Sequence, residues 1–356
     1  LRGGRKMKEE KHTCDICHEE HDLSELTYFD ESYLCEACLR RETFICRDCG
    51  DRHWNDDSAD GDLCQTCYDE DYVRCERCDA VIHYDDACYH EDEEYHDHPY
   101  CRDCFDMDET IHDYYYKPEP IFYGDGPRYL GVELELDDGG ENEFCASKLL
   151  DIANAQKEHM YIKHDGSLDD GFECVTHPMT LDYHINQMPW RAILNKAVAK
   201  GYLSHQAGTC GLHVHISRNA LGANYEEQEA TIAKILYFYE KFWNEILTFS
   251  RRTESQAEHW ARRYGGGIIN PKETLKHAKN SHMGRYAAVN LENEATIEMR
   301  IFRGTLKYNT FIATLQMVDE ICKVAISLSD EFMQGLTWLD FVKGIADGKQ
   351  ELINYL

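Results

Sequence analysis

The chain has 356 residues, enough for two or three domains with a core of their own. No apolar run approaches the roughly 20 residues that span a bilayer, and the polar start from Leu1 to Lys11 lacks the apolar stretch of a signal peptide. A cytoplasmic protein with no membrane partner is therefore expected. The formal net charge is −30: through Phe122 there are 13 Lys and Arg against 35 Asp and Glu, a net of −22, and the remainder carries 24 against 32. An acidic N-terminal part repels phosphate backbones, so nucleic acid is not an expected partner; a basic protein partner is compatible with it.

Residues 1–12 read as a flexible tail, and Leu1-Arg2-Gly3-Gly4 resembles the end of ubiquitin. Residues 13–108 hold 13 of the 17 cysteines. Twelve of them form six Cys-x-x-Cys pairs: Cys14/Cys17, Cys35/Cys38, Cys46/Cys49, Cys64/Cys67, Cys75/Cys78 and Cys101/Cys104. This spacing without a signal peptide favours zinc over disulfides. A knuckle turn supplies two thiolates and a following helix N-terminus two more, which closes a tetrahedral Cys₄ site with no place for water. Twelve ligands suit about three structural Zn²⁺ ions. Sequential and cross-braced pairing use the same residues and both remain open. Cys88, His83, His90, His96 and His98 are left over, and one His could replace a Cys in the third site. The pattern resembles tandem treble-clef or LIM-like fingers, with longer spacers between Cys38 and Cys46 and between Cys67 and Cys75 than LIM domains have.

Residues 109–124, with Tyr114-Tyr115-Tyr116 and Pro118 and Pro120, read as a linker. Residues 125–356 alternate strand and helix patterns. Strands are expected at 128–136, from Glu173 to Thr176, at 211–217 and at 296–302. Helices are expected at 147–157, 189–200, 226–249, 308–328 and 337–346. Few tight hairpins join the strands, so the fold class is α+β: a mainly antiparallel sheet with helices packed on it.

Polar groups recur at period two in strands that should be apolar. Glu133 and Glu135 flank Leu134, His213 and His215 flank Val214, and Glu298 and Arg300 flank Met299. A fourth segment runs from Asp165 through a Gly-Ser-Leu turn to Glu173. Any one pair reads as an ordinary solvated strand face. Four in one domain suggest acids, imidazoles and an arginine converging on one surface, with a donor set suited to Mg²⁺ or Mn²⁺. No Gly-Lys-Ser/Thr phosphate loop is present. Tyr264-Gly265-Gly266-Gly267 reads as a flexible loop, and Cys145, Cys174, Cys210 and Cys322 as ordinary cysteines.

These four motifs, in this order, resemble the amidoligase family, which belongs with the carboxylate–amine ligases of the glutamine synthetase fold. The resemblance covers about 125–350. It implies that Glu133, Glu135, Asp165, Glu173, His213 and Glu298 hold Mg²⁺ and that His215 approaches the ATP phosphates. It further implies that Arg300 stabilises the transferred phosphoryl group, with Arg285 a phosphate or substrate contact. Arg303-Gly304-Thr305-Leu306 also matches. The implied activity is ATP-dependent amide or isopeptide formation through an acyl phosphate, with catalysis resting on Arg300, Glu298 and Glu133 and the zinc module recruiting a protein or peptide substrate. A ubiquitin-like substrate fits the first four residues. Two other readings are a non-catalytic adaptor on a decayed ligase fold and an E3-like ubiquitin ligase.

Overall fold

The computed structural model describes residues 11–89, 98–105, 110–265 and 270–356. Leu1 to Gly4, His90, His96, Gly266 and Gly267, singled out above, lie outside the described residues. Of the expected tail, Lys11 and His12 are described, and with Thr13 they pair against Glu20–Asp22. The chain divides into two compact units, Leu1–Met107 and Asp108–Leu356.

The first unit repeats one pattern three times: a Cys-x-x-Cys turn, short antiparallel strands, a second Cys-x-x-Cys, then a helix. Those helices are Glu36–Glu42, Gln65–Asp71 and Arg102–Phe105. Its apolar content is small. Leu34 and Leu39 pack with Leu26 and Phe29, and Trp54 of the second repeat joins them. Leu63 packs with Phe44 and Tyr68, joined by Tyr72 and Val81 of the third. The first and second repeats thus each borrow apolar cover from the repeat that follows.

The second unit is built on a seven-stranded sheet. Its strands are β1 (Ile111–His112), β2 (Leu130–Leu136), β3 (Met160–Lys163), β4 (Phe172–Thr176), β5 (Leu212–Ser217), β6 (Val289–Asn290) and β7 (Thr296–Met299). The order is β1-β3-β4-β2-β5-β7-β6. All pairings are antiparallel except β1 with β3. This is a mixed, mainly antiparallel α and β architecture. β1 lies within 109–124, the segment read as a linker.

Register separates the sheet's two faces. Val132 lies opposite Val214, Leu134 opposite Leu212 and Cys174, Leu136 opposite Phe172, and Val214 opposite Met299. These side chains join helices α1 (Glu143–Ala153), α2 (Trp190–Ala199), α3 (Tyr225–Lys241) and α4 (Tyr308–Ser327) in one apolar core. The residues between them necessarily point to the other face.

Three elements differ from expectation. α1 begins at Glu143 rather than Ser147, because Asn142 Oδ1 caps it by accepting the Cys145 N–H at 2.9 Å. The long helix expected over 226–249 breaks at Phe242 (φ −109°, ψ 33°), whose ring packs between Phe238 and Trp338. The last strand stops at Met299. Beyond it Arg300 N–H bonds to Ala288 O, and Phe302 O accepts from Leu212 N, so the backbone leaves regular register.

Two buried positions support predictions. A Cβ on Gly171, at the entry to β4, would meet the backbone of Leu136 and Asp137. Gly171→Ala is expected to destabilise the second unit by roughly 2–4 kcal/mol, read as a lowered urea midpoint. His184 is fully buried, with Nε2 donating to Leu130 O at 3.0 Å and Nδ1 accepting from Trp190 Nε1 at 3.2 Å. A proton on Nδ1 would face another donor. Burial lowers His184 from 6.5 to about 4, despite the Leu130 bond that acts the other way. Between those values the unfolded chain binds a proton that the folded chain refuses. Stability is therefore complete above pH 6.5 and falls by up to roughly 3 kcal/mol as pH drops toward 4. Denaturant midpoints measured across that window should slope less in His184→Gln than in the wild-type chain.

Candidate active site and metal centres

Four sulfurs come together three times, from Cys14, Cys17, Cys35 and Cys38, from Cys46, Cys49, Cys64 and Cys67, and from Cys75, Cys78, Cys101 and Cys104. Pairing is therefore sequential within each repeat. A tetrahedral zinc with Zn–S bonds of about 2.3 Å sets sulfurs about 3.8 Å apart. Cys17 and Cys35 sulfurs lie 3.9 Å apart, and those of Cys78 and Cys101 3.8 Å apart. The residues fit Zn²⁺.

Backbone N–H groups favour the thiolate: Cys35 N–H points at Cys14 Sγ at 3.3 Å and Cys64 N–H at Cys46 Sγ at 3.5 Å. Burial works against this, yet backbone N–H groups lower Cys14 and Cys46 to about 6. Burial and the neighbouring sulfurs push Cys38 up to about 12, so bringing four thiols together in this way calls for a cation. Cys88 stands apart from all three groups. Its backbone pairs with Tyr100, and its sulfur lies 4.0 Å from Asp86 O. The third group, like the other two, brings four cysteine sulfurs together.

The second constellation lies on the sheet face away from the helices. Register sets Glu133 opposite His213, Glu135 opposite Glu173, His215 opposite Glu298 and Asn290 opposite Glu298. Five strands, β2, β4, β5, β6 and β7, thus bring these side chains together. His213 Nδ1 lies 3.4 Å from Glu133 and 3.6 Å from Glu298, and its Nε2 lies 3.6 Å from Glu135. His215 Nε2 lies 3.1 Å from Glu133. Arg300 Nη1 donates to Glu298 Oε1 at 2.5 Å, and Asn290 Nδ2 donates to Glu298 Oε2 at 2.8 Å. Glu135 accepts from the Gly211 N–H. Donor atoms of Glu133, His215 and Glu298 lie within 4.8 Å of one another, near enough to hold one ion.

Electrostatics divides the acids. Burial would raise Glu133, but His215 and His213 hold it well below the usual carboxylate range. Burial raises Glu135, with Asp165 adding to the rise against His213. Glu173 is raised well above its ordinary value by burial and by Glu133, with Lys163 opposing. Asp165 therefore acts on both Glu135 and Glu173. It sits in a turn where its Oδ1 accepts from Ser167 N and Oγ. Asp137 fastens that turn to the sheet, accepting from Asp169 N, Asp170 N and Thr209 Oγ1. Acids that resist ionisation when crowded are relieved by a bound divalent cation, and the mixed carboxylate and imidazole donors suit Mg²⁺ or Mn²⁺.

The geometry adds residues that the sequence did not disclose. Lys163 pairs with Glu173 at 3.0 Å, and its ammonium lies over the Tyr114 ring. His215 Nδ1 lies 3.2 Å from Thr296 Oγ1. Arg252 Nη2 lies beside Gly211, and the charge of Glu135 acts on it. Arg285 is exposed and donates to Tyr114 and Tyr286 hydroxyls at 2.6 and 3.1 Å, not to the acid cluster.

Residues 151–322 match the model of a protein family described as "Putative amidoligase enzyme". The matched residues all lie within the second unit. The matched range includes Asp165, Glu173, His213, His215, Glu298 and Arg300, and it begins after Glu133 and Glu135. Among solved structures, a bifunctional glutathione synthetase from Pasteurella multocida is similar at 14% identity and a TM-score of 0.32. The match covers 64% of this chain and 40% of that one. No curated protein matches the chain. Among the described residues, no helix is long and apolar enough to cross a membrane.

Proposed function

We propose that this protein is an ATP- and Mg²⁺-dependent carboxylate–amine ligase with a glutamine synthetase-like catalytic domain, and that its zinc unit recruits a protein or peptide substrate. The observation that supports this reading is the convergence of Glu133, Glu135, Glu173, His213, His215, Glu298 and Arg300 on one sheet face. A decayed ligase fold would be expected to show gaps in such a set, which disfavours the adaptor reading.

Glu133, His215 and Glu298, with His213 against the same carboxylates, would hold one ion; Glu135, Glu173 and Asp165 would hold a second. When bound, such ions offset the charge of phosphate oxygens. A substrate carboxylate oxygen attacks the γ-phosphorus of ATP; the bond to ADP breaks, leaving an acyl phosphate. An amine then attacks the acyl carbon, phosphate departs, and the amine releases a proton. Arg300, positioned by Glu298, places a fixed positive donor beside the transferred phosphoryl group. Asn290 holds the other Glu298 oxygen and so fixes that carboxylate's orientation. Neither His213 nor His215 acts as a nucleophile.

The test is ADP release by the full chain supplied with ATP, Mg²⁺, an amine and a panel of carboxylates, including glutamate and glycine-ended peptides. ADP formation that needs both carboxylate and amine is expected. If Glu133→Ala combined with Glu298→Ala retains full activity, the site assignment is wrong. Calorimetry that detects no ATP·Mg²⁺ binding would favour the adaptor.

A further inference from the structure

Beside the acid-lined face three segments bring cations together without acids to match. At the end of helix Trp243–Ser250 the backbone turns through Arg251, a non-glycine residue at φ +66°. Left-handed backbone at a bulky residue is strained, and such strain is held where surrounding structure fixes the side chain. Arg251 Nη2 donates to Arg303 O at 2.5 Å and the guanidinium lies over the Tyr355 ring, while the buried Nε and Nη1 make no hydrogen bond. Arg252 is 6% exposed. Its Nε and Nη2 donate to Ile301 O and Phe302 O at 3.1 and 3.4 Å, and Nη1 is left without a partner. Arg303 Nε and His205 Nδ1 are likewise buried and unpartnered.

Backbone contacts hold these segments together. Arg303 N–H donates to Ser250 O at 3.0 Å, and Gly304 N–H to Cys210 O at 3.1 Å. A Cβ on Gly304 would collide with Ser204 Oγ, so glycine allows the close approach that sets His205 near Arg303. Burial lowers His205, and Arg303, Arg251 and Lys307 lower it further. Among the described residues no carboxylate forms an ion pair with Arg251, Arg252, Arg303 or Lys307, whereas Arg300 has Glu298. In a chain with 67 acidic residues, leaving this group unmatched is a notable arrangement. Desolvated like charges with unused donors are unfavourable until a counter-charge arrives. Guanidinium forks match the paired oxygens of phosphate and carboxylate.

We propose that Arg251, Arg252, Arg303, Lys307 and His205 form an oxyanion site that takes a phosphate or carboxylate group of a substrate. Its unpaired donors are none of the candidate metal ligands. Arg252, which also faces Glu135 and Arg300, links it to the acid-lined face. Joined to the ligase reading, it requires a substrate with an anionic group besides the one being activated.

The experiment is calorimetric titration of the full chain in buffer free of magnesium and chelator, with inorganic phosphate in one arm and glutarate in the other. Saturable binding of at least one is expected. Phosphate binding identifies the source as a phosphoryl group, and glutarate binding identifies it as a carboxylate. Arg303→Gln and Arg251→Gln should weaken binding by about 10-fold or more, and the exposed Lys307→Gln by about 3-fold. Absence of saturable binding by both probes overturns the proposal, and so does equal binding in the wild type and Arg303→Gln. Should the two arginine variants fail to fold, unchanged affinity in Lys307→Gln has the same force. Anion binding that persists in a chain unable to form ADP would sink the ligase reading and leave this site standing.

Discussion

Replacing Arg300 with glutamine is expected to lower carboxylate-dependent ADP formation by about 10³-fold or more, the scale on which arginines that stabilise phosphoryl transfer act. Arg300 is largely buried, donates to Glu298 at 2.5 Å, and keeps its Nε–H without a partner. Burial would lower its pKa, but Glu298, Glu133 and Glu135 raise it, so it stays charged. Arg300→Lys should rescue little, since an ammonium cannot place two parallel donors. The loss should fall on kcat while calorimetric affinity for ATP·Mg²⁺ changes less, because the arginine acts most strongly on charge developing in the transition state. A kcat within about 10-fold of wild type would show that Arg300 merely braces Glu298.

Stripping zinc is expected to unfold the first unit and spare the second. The three repeats contain few apolar side chains, and ion binding in such modules supplies on the order of 10 kcal/mol or more of folding free energy. Hydrogen exchange after chelation should show lost protection over 11–89 and 98–105 and retained protection in the strands from Leu130 to Met299. Native mass spectrometry should find three zinc ions in the full chain and two in Cys67→Ser, whose missing sulfur belongs to the middle group. A full chain that keeps its protection after complete zinc loss would contradict a structural role for the ions.

Much of both sites was legible because their chemistry has a short repeat. Cys-x-x-Cys is local, and Glu-x-Glu or His-x-His reveals a shared strand face through period two alone. What those patterns omit is register. Glu133 meets His213 and His215 meets Glu298 only after β2, β5 and β7 pair, and nothing within one strand specifies that alignment. Lys163 reads as a routine strand charge until β3 lies beside β4 and sets it opposite Glu173. Arg252 is similarly hidden: a cation after a helix ordinarily meets solvent, and its burial comes from the irregular passage of Ile301 and Phe302. The break at Phe242 escaped because its apolar spacing continues through the bend.

Both outer strands of the large sheet, Ile111–His112 and Val289–Asn290, are two residues long. An unpaired strand edge is a template on which a foreign chain can add by backbone hydrogen bonding, and the hazard grows with its length. Here the seven-residue strand Leu130–Leu136, rich in apolar side chains, is enclosed on both sides. The sheet can therefore carry aggregation-prone segments at its centre while offering little purchase for amyloid-like growth at its margins.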